Sequence, residues 1–141
     1  MPITTYWEPE GFVYETSGVV TAHEIFDSGT DFLEVPEGVI PKYQLINALN
    51  IEKFDLSEVD VVDISADDLS ASRKYPNIKV AMVAQKGHVI EKFMNYLKVS
   101  WAINTSWEIR IFNSLAAARD WLSHVAEIKK PGTSHQSKIQ H

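Results

Sequence analysis

The stretch that decides the fold is residues 42–85, KYQLINALNIEKFDLSEVDVVDISADDLSASRKYPNIKVAMVAQ. It begins with the short apolar run YQLINAL, which predicts a strand, and continues through an acidic turn. Ser57 and Asp60, three positions apart, are a capping signal that predicts the start of a helix. The run IKVAMVA at 78–84 has the dense apolar character of a central strand that is covered on both faces. A strand, a helix and a second strand predict one unit of a mainly parallel α/β sheet.

The helix inside this stretch has apolar residues at spacings of three and four, which predict one buried stripe: Val59, Val62, Ala66 and Leu69. Three carboxylates share a different face of the helix: Asp60, Asp63 and Asp67. A calcium site needs a shaped loop with several oxygen ligands, and no glycine-bearing loop of that kind occurs here. We therefore interpret these carboxylates as a solvated acidic face or as a surface for a partner, and we predict no metal site.

The flanking regions complete the pattern. Residues 3–18 predict a hairpin that turns at Glu8-Pro9-Glu10-Gly11 and ends at Gly18, and Thr21 with Glu24 forms a capping box. A third helix follows Gly87, with a predicted buried stripe of Ile90, Phe93, Leu97 and Trp101. The alternation in WEIRIF, at 107–112, predicts a strand near the sheet edge, before a last helix. The order is ββαβαβαβα, an α/β fold with a mixed, mostly parallel sheet of about five strands and four helices.

Length and charge bound the classes of function. The 141 residues predict a single domain over 1–128, followed by a polar, basic and disordered tail over 129–141. Three lysines lie in that tail without an acidic residue: Lys129, Lys130 and Lys138. Residues 1–128 then have 10 basic and 19 acidic residues, a formal net charge of −9. A body this acidic repels phosphate backbones, which argues against a nucleic-acid partner.

The sequence lacks the residues that several kinds of chemistry require. The chain has no cysteine, which excludes disulfides, thiolate zinc sites and cysteine nucleophiles. The serines form no nucleophile-elbow motif, and Gly87 alone makes no phosphate loop. We therefore predict neither an enzyme nor a bound cofactor.

The start MPITTYWEPEG lacks the basic and apolar regions of a signal peptide, and no apolar run approaches the roughly 20 residues that cross a bilayer. We expect a cytoplasmic protein with no membrane span.

From about residue 6 to residue 122 the chain resembles the STAS-like family, whose best-known members are the bacterial anti-sigma-factor antagonists of sporulation control. The matching features are the hairpin ending at Gly18 before Val19-Val20-Thr21, the run from Leu45 that closes on FDLS at 54–57, the strand KVAMV at 79–83, and Phe112 followed by the segment ending in Trp121-Leu122. The greater likeness is to a poorly characterised bacterial branch of the family. The resemblance implies a STAS-like fold and a non-catalytic module that acts through interaction.

The resemblance also implies a switch position. In the sporulation branch a serine that follows an aspartate at the start of the second main helix is phosphorylated by a partner kinase. Here Asp55 is followed by Leu56, Ser57 lies one position later, and Glu58 replaces an expected glycine. We interpret Ser57 as a helix N-cap. The candidate interaction or switch residues are Asp55, Ser57, Glu58, Asp60 and Asp63.

Two further places are candidates for binding. Gly87 and His88 begin a helix beyond the carboxyl end of a central strand, where ligands bind in open α/β sheets, and the free amides there could receive an anion. The alternative is an ordinary surface loop. Trp101 and Trp107 flank a short connection and could form an apolar pocket or a dimer interface, because tryptophan favours interfaces. The alternative for both is packing in the core.

These observations give two hypotheses. The first is a protein-interaction module whose partner is another protein or a second copy, as a homodimer. The alternative is a small-ligand or lipid-binding domain with a pocket at the helix N-termini near Ser57 and Gly87. STAS-like sheets share their topology in outline with CRAL-TRIO lipid-transfer domains, which motivates the alternative.

Overall fold

Nine elements follow one another in the computed structural model, which describes residues 2–123. They are β1 (Ile3–Glu8), β2 (Gly11–Thr21), α1 (Ala22–Leu33), β3 (Tyr43–Asp55), α2 (Glu58–Lys74), β4 (Lys79–Val83), α3 (Gly87–Ala102), β5 (Glu108–Phe112) and α4 (Leu115–Ser123). The predicted order ββαβαβαβα and the α/β fold class are confirmed. The predicted tail at 129–141 lies outside the described residues.

The five strands form one sheet in the order β1-β2-β3-β4-β5. The β1–β2 pair is antiparallel, as the hairpin predicts, and the other three pairs are parallel. Because the strand order advances in one direction, right-handed crossovers place α1, α2 and α3 on the same face of the sheet. The opposite face packs against α4, with Val13, Leu45 and Ala81 beneath Trp121 and Leu122. β5 is an edge strand, as predicted.

The two longest strands extend past their predicted ends. The sequence predicts that β2 ends at Gly18, but the strand continues to Thr21 and pairs with a β3 that continues to Asp55. The ladder shifts register between Glu15 and Ser17 and again between Gly18 and Val19. Gly18 has a φ of 62°, a left-handed conformation that glycine adopts without strain. Gly18 therefore lies at a register shift, where β3 contributes the extra residue of the bulge, and it does not end β2.

The predicted buried stripe of α2 is wrong. Val59 and Val62 are 67% and 49% exposed, and Ala66 is also exposed. The buried residues are Val61, Ile64, Ser65 and Ser72. The Ser65 hydroxyl donates to the Val61 carbonyl at 2.9 Å and the Ser72 hydroxyl to the Leu69 carbonyl at 2.6 Å, so these serines are buried without an unpaired polar group. The helix has two apolar sides, and the less apolar one faces the sheet.

The two candidate interface tryptophans have different surroundings. Trp107 is only 4% exposed, packs edge-on against Phe32 and donates its indole N–H to the Tyr75 carbonyl at 2.8 Å. The interface interpretation is therefore wrong for Trp107, which belongs to the core. Trp101 is 65% exposed, so the predicted buried stripe of α3 does not include it. An interface role for Trp101 remains a prediction.

The helical face of the sheet contains the larger core. Phe32 of α1 is surrounded by aromatic rings, with centroid distances of 5.7 Å to Trp7, Phe12 and Tyr75. On the opposite face the Arg119 guanidinium of α4 donates to both Glu8 carboxylate oxygens, at 2.6 and 2.8 Å. Bidentate pairs of this kind hold a helix in a fixed orientation on a strand.

Among residues 2–123 no helix has the length and apolar character needed to cross a membrane.

Candidate functional site

A cavity of about 120 Å3 lies between the helical face of the sheet and helices α1, α2 and α3. We call it the slot. Every second residue of β3 and β4 points to this face, so Ile46, Val80 and Met82 form its floor. Val61 and Phe93, from α2 and α3, form its walls. The slot is therefore largely apolar, and it is lined by elements that are distant from one another in sequence.

A glycine in the middle of α1 borders the slot. Gly29 reduces the helical preference of α1 by about 1 kcal/mol relative to alanine. Packing does not require this glycine, because the nearest atom to a Cβ added at Gly29 would be Asp67 Oδ2 at 4.0 Å, an ordinary contact. Gly29 lines the slot, so the missing side chain leaves open space between α1 and α2.

One end of the slot is acidic. An α-helix turns by about 100° per residue. Viewed along the axis of α2, Asp68 therefore lies between Ile64 and Val61, at the centre of the side that faces the sheet. The Tyr96 hydroxyl of α3 donates to Asp68 Oδ2 at 2.5 Å. The Asp68 pKa is raised to about 7, chiefly by burial and to a smaller extent by the neighbouring Asp67 charge, while the Tyr96 hydrogen bond opposes both effects. Burial, with the charge of Asp68, raises the Tyr96 pKa well above its usual value.

A second cavity, of about 200 Å3, adjoins the slot between α1 and α2. Five residues line both cavities: Tyr14, Gly29, Gln44, Asp67 and Asp68. The two carboxylates therefore stand at the junction of the two cavities, beside the opening that Gly29 leaves. Burial raises the pKa of Tyr14 well above its usual value, and the negative charges of Asp68 and Asp67 also raise it.

The opposite end of the slot is at the start of α2. Leu56 lines it, at the position where the family resemblance places a phosphorylated serine. The Lys92 ammonium also lines the slot and donates a hydrogen bond to the Leu56 carbonyl. Asp68 follows Val61 by seven residues on α2, which corresponds to a distance of about 10 Å along the helix axis. The basic and acidic groups thus lie towards different ends of the slot.

The predicted switch residues form a helix cap on the surface. Ser57 Oγ accepts from the Asp60 N–H at 3.1 Å, and Asp60 Oδ2 accepts from the Ser57 N–H at 2.9 Å. The predicted N-cap role of Ser57 is therefore observed. Asp55, Glu58 and Asp63 are exposed. None of these five residues lines the slot, and their role in an interaction remains a prediction.

Of the two helix N-termini predicted to border a ligand pocket, only the one near Ser57 adjoins the slot, through the neighbouring Leu56. Gly87 and His88 are exposed and line neither the slot nor the adjoining cavity. The amide of Val89, the next residue, already donates to the Lys86 carbonyl at 3.1 Å. The enclosed space lies deeper, between the helices and the sheet, because the apolar residues that form it are on the inner helix faces. Anion binding at Gly87 and His88 remains a prediction.

Sequence reasoning missed Asp68, Tyr96 and Tyr14 as site residues. Two signals were present: a glycine interrupts α1 at position 29, and Asp68 falls in line with Val61 and Ile64 on one helix side. The contact with Tyr96 spans 28 positions of sequence and has no local signature. Within residues 2–123 no group of three or more histidine, aspartate or glutamate side chains is arranged to hold a metal ion.

Comparisons with known proteins bear on the fold. No protein-family model matches the sequence, and no curated protein sequence matches it. The structure is similar to that of an uncharacterized protein of the DUF3478 family from Shewanella loihica PV-4, which has a SpoIIAA-like fold. The TM-score is 0.51 at 18% sequence identity, over 85% of this chain and 91% of that chain. Together with the element order and the sheet topology, this likeness shows that the chain has a SpoIIAA-like, STAS-like α/β fold.

Proposed function

We propose that the chain is a non-catalytic STAS-like module that binds a small, mostly apolar molecule in the slot. The observation that carries this proposal is a largely apolar cavity between the sheet and the helices, bordered by a glycine that packing does not require. Ligand sites of proteins combine apolar walls with a few polar groups, and the slot has both. We also predict, from the sequence, that the protein is cytoplasmic.

The size of the slot limits the ligand. An apolar cavity of about 150 Å3 in another protein takes up benzene, and the slot, at about 120 Å3, is of the same order. A long lipid chain would need the adjoining cavity as well or a separation of the helices. We therefore favour a molecule with one aromatic ring or a short aliphatic chain over a two-chain lipid.

A matched pair of variants tests this function, with benzyl alcohol as the probe. Gly29→Leu places a side chain where α1 borders the slot, whereas Thr30→Leu places it at an exposed position of the same helix. Isothermal titration calorimetry should detect benzyl alcohol binding to the wild-type protein and to Thr30→Leu, with at least about a tenfold loss in Gly29→Leu. Circular dichroism checks that both variants are folded. Absence of binding to the wild-type protein, or equal binding by both variants, would refute the proposal.

The outer side of α2 supports a second candidate function, contact with a protein partner. Val59, Val62 and Ala66 form an exposed apolar stripe, which we call the outer stripe. Asp63 flanks it on one side and Glu58 on the other. A second copy of the chain would bring like charges together across this surface, which is unfavourable. The surface therefore fits a basic, amphipathic partner segment better than it fits a homodimer.

Designed peptides test this second candidate. We expect a helical peptide with a leucine stripe flanked by lysines to bind, and a glutamate-flanked peptide with the same stripe not to bind. The double variant Val59→Ser and Val62→Ser should abolish binding in fluorescence anisotropy, whereas Ile40→Ser, at an exposed loop position, should leave it intact. Binding of both peptides with equal affinity, or retention in the double variant, would count against it. Concentration-dependent dimerisation in light scattering would favour the homodimer instead.

A further inference from the structure

We propose that the slot selects an amine: a small molecule with an aromatic or aliphatic body and a protonated amino group that binds at Asp67 and Asp68. This inference rests on the proposed function, because it names the class of ligand that the slot receives. It follows from the polar groups that line the slot, from their hydrogen-bond partners and from their positions along α2.

The acidic end has unused acceptors. Within residues 2–123 the side chain of Asp68 receives one hydrogen bond, from Tyr96 to Oδ2, and none reaches Oδ1. In the same part of the chain, Asp67 has neither a hydrogen bond nor an ion pair through its carboxylate. Asp67 is exposed, whereas Asp68 is half-buried. A half-buried carboxylate such as that of Asp68 is unfavourable without a cation, because burial removes part of the water that would solvate its charge. A protonated amine would supply both the missing charge and donors for these oxygens.

The other polar groups do not compensate this charge. Lys92 lines the slot, but its ammonium donates to the Leu56 carbonyl at the start of α2, towards the opposite end. Lys74 lines only the adjoining cavity. Tyr96 donates its one proton to Asp68, and the Ser28 hydroxyl donates to the Ile25 carbonyl at 2.9 Å. The Tyr14 hydroxyl and the Gln44 amide also line the slot and can donate, but both groups are neutral. A carboxylate or phosphate head group at this end would therefore meet two carboxylates without a cation beside it.

The apolar part of the ligand fits the remaining lining. Ile46, Val80 and Met82 offer an apolar floor to an aromatic ring or a short chain, and Phe93 offers an aromatic wall. Gly29 opens the space beside Asp67, so an amine could reach the two carboxylates from the junction of the two cavities. Benzylamine combines a ring of suitable size with an amine one carbon away, and it therefore serves as the probe.

The experiment compares benzylamine, benzyl alcohol and benzoate, which share a ring and differ in the head group. At about pH 8 we expect benzylamine to bind wild-type protein at least about tenfold more tightly than benzyl alcohol, equivalent to about 1.4 kcal/mol. Benzoate should bind more weakly than either. In Asp68→Asn, which keeps a hydrogen-bond acceptor for Tyr96 and removes the charge, the preference for benzylamine over benzyl alcohol should fall to about twofold or less. Asp63→Asn, an exposed site on the same helix, is the matched control and should keep the preference.

The outcomes separate this inference from the function on which it rests. If benzyl alcohol binds and benzylamine has no advantage, or if benzoate binds as tightly as benzylamine, the amine selectivity is overturned and the slot remains a ligand site. If Asp63→Asn loses the preference as fully as Asp68→Asn does, the preference reflects overall charge and the inference is also overturned. If none of the three probes binds, both the inference and the proposed function are wrong.

Discussion

The acidic end of the slot makes a quantitative prediction about the pH dependence of stability. Burial raises the Asp68 pKa from its usual 3.8 to about 7. A group whose pKa is raised in the folded protein contributes stability that is fully present below its unfolded pKa and is lost as pH rises through the folded pKa. The free energy of unfolding should therefore fall, through this group, between about pH 4 and about pH 8.

The magnitude follows from the size of the pKa change. Each pKa unit corresponds to about 1.4 kcal/mol, so a rise from 3.8 to about 7 corresponds to at most about 4 kcal/mol. Asp68 is only half-buried, and solvent that reaches its carboxyl reduces this figure. We expect about half of the maximum, or ~2 kcal/mol.

Asp68→Asn isolates the contribution of Asp68, because asparagine stays neutral at every pH and can still accept from Tyr96. Urea unfolding followed by circular dichroism gives the free energy of unfolding of both proteins at each pH. The variant should match the wild-type protein near pH 4 and should be about 2 kcal/mol more stable near pH 8. Asp63→Asn removes the same charge from an exposed position of α2 and controls for the change in net charge. A difference that does not change with pH, or a variant that is less stable near pH 8, would refute the reasoning.

Three further predictions concern stability and use the same urea assay. Gly29→Ala should raise the free energy of unfolding by about 0.5–1 kcal/mol, because alanine favours the helix and its Cβ meets no close atom; a loss of stability would show that packing requires the glycine. Ser57→Ala should lower it by about 1 kcal/mol and Ser57→Asp should largely preserve it, since aspartate also caps helices; equal values for the two variants would contradict the capping role. Phe32→Ala should lower it by about 3–5 kcal/mol, because the ring lies at the centre of the aromatic cluster, and a loss below about 1 kcal/mol would show a loosely packed core.

The order of elements was predictable because each has a strong local signal. The dense apolar run at 78–84 became the buried strand β4, and both capping boxes, at Thr21 and Ser57, are formed. The predicted strand end at Gly18 is wrong, because a glycine between two apolar stretches has the same local pattern whether it ends a strand or lies at a register shift within it. Only the pairing of β2 with β3 distinguishes the two cases.

The faces of the helices were less predictable than the helices themselves. α2 has apolar residues on two sides, and the sequence favours the side with more of them, which includes Val59 and Val62. The side that packs on the sheet is instead the one with Val61 and Ile64. Ser65 on this side is small, and its hydroxyl donates to the Val61 carbonyl. This choice depends on the space beneath the helix, which local periodicity does not encode.

The slot was the least predictable feature, because its lining comes from four strands and three helices. The sequence predicts a pocket at the helix N-termini near Ser57 and Gly87, whereas the slot lies mainly on the inner faces of the same helices and reaches only Leu56, beside Ser57. The pairing of Asp68 with Tyr96 depends on how α2 and α3 pack together. Gly29 was visible in the sequence as an unfavourable residue within a helix, and only the structure shows which space it opens.

The most direct test of the central claim, that the slot holds a small apolar molecule, uses the methyl groups of methionine. Met82 lies in the floor of the slot, and Met94 is 42% exposed on α3. In protein labelled with 13C at the methionine methyl groups, a benzyl alcohol titration should shift the Met82 signal saturably and leave the Met94 signal in place. The Met82 signal should not move in Gly29→Leu, where the slot is obstructed. An unchanged Met82 signal in the wild-type protein, or equal and unsaturable shifts of both signals, would contradict the claim.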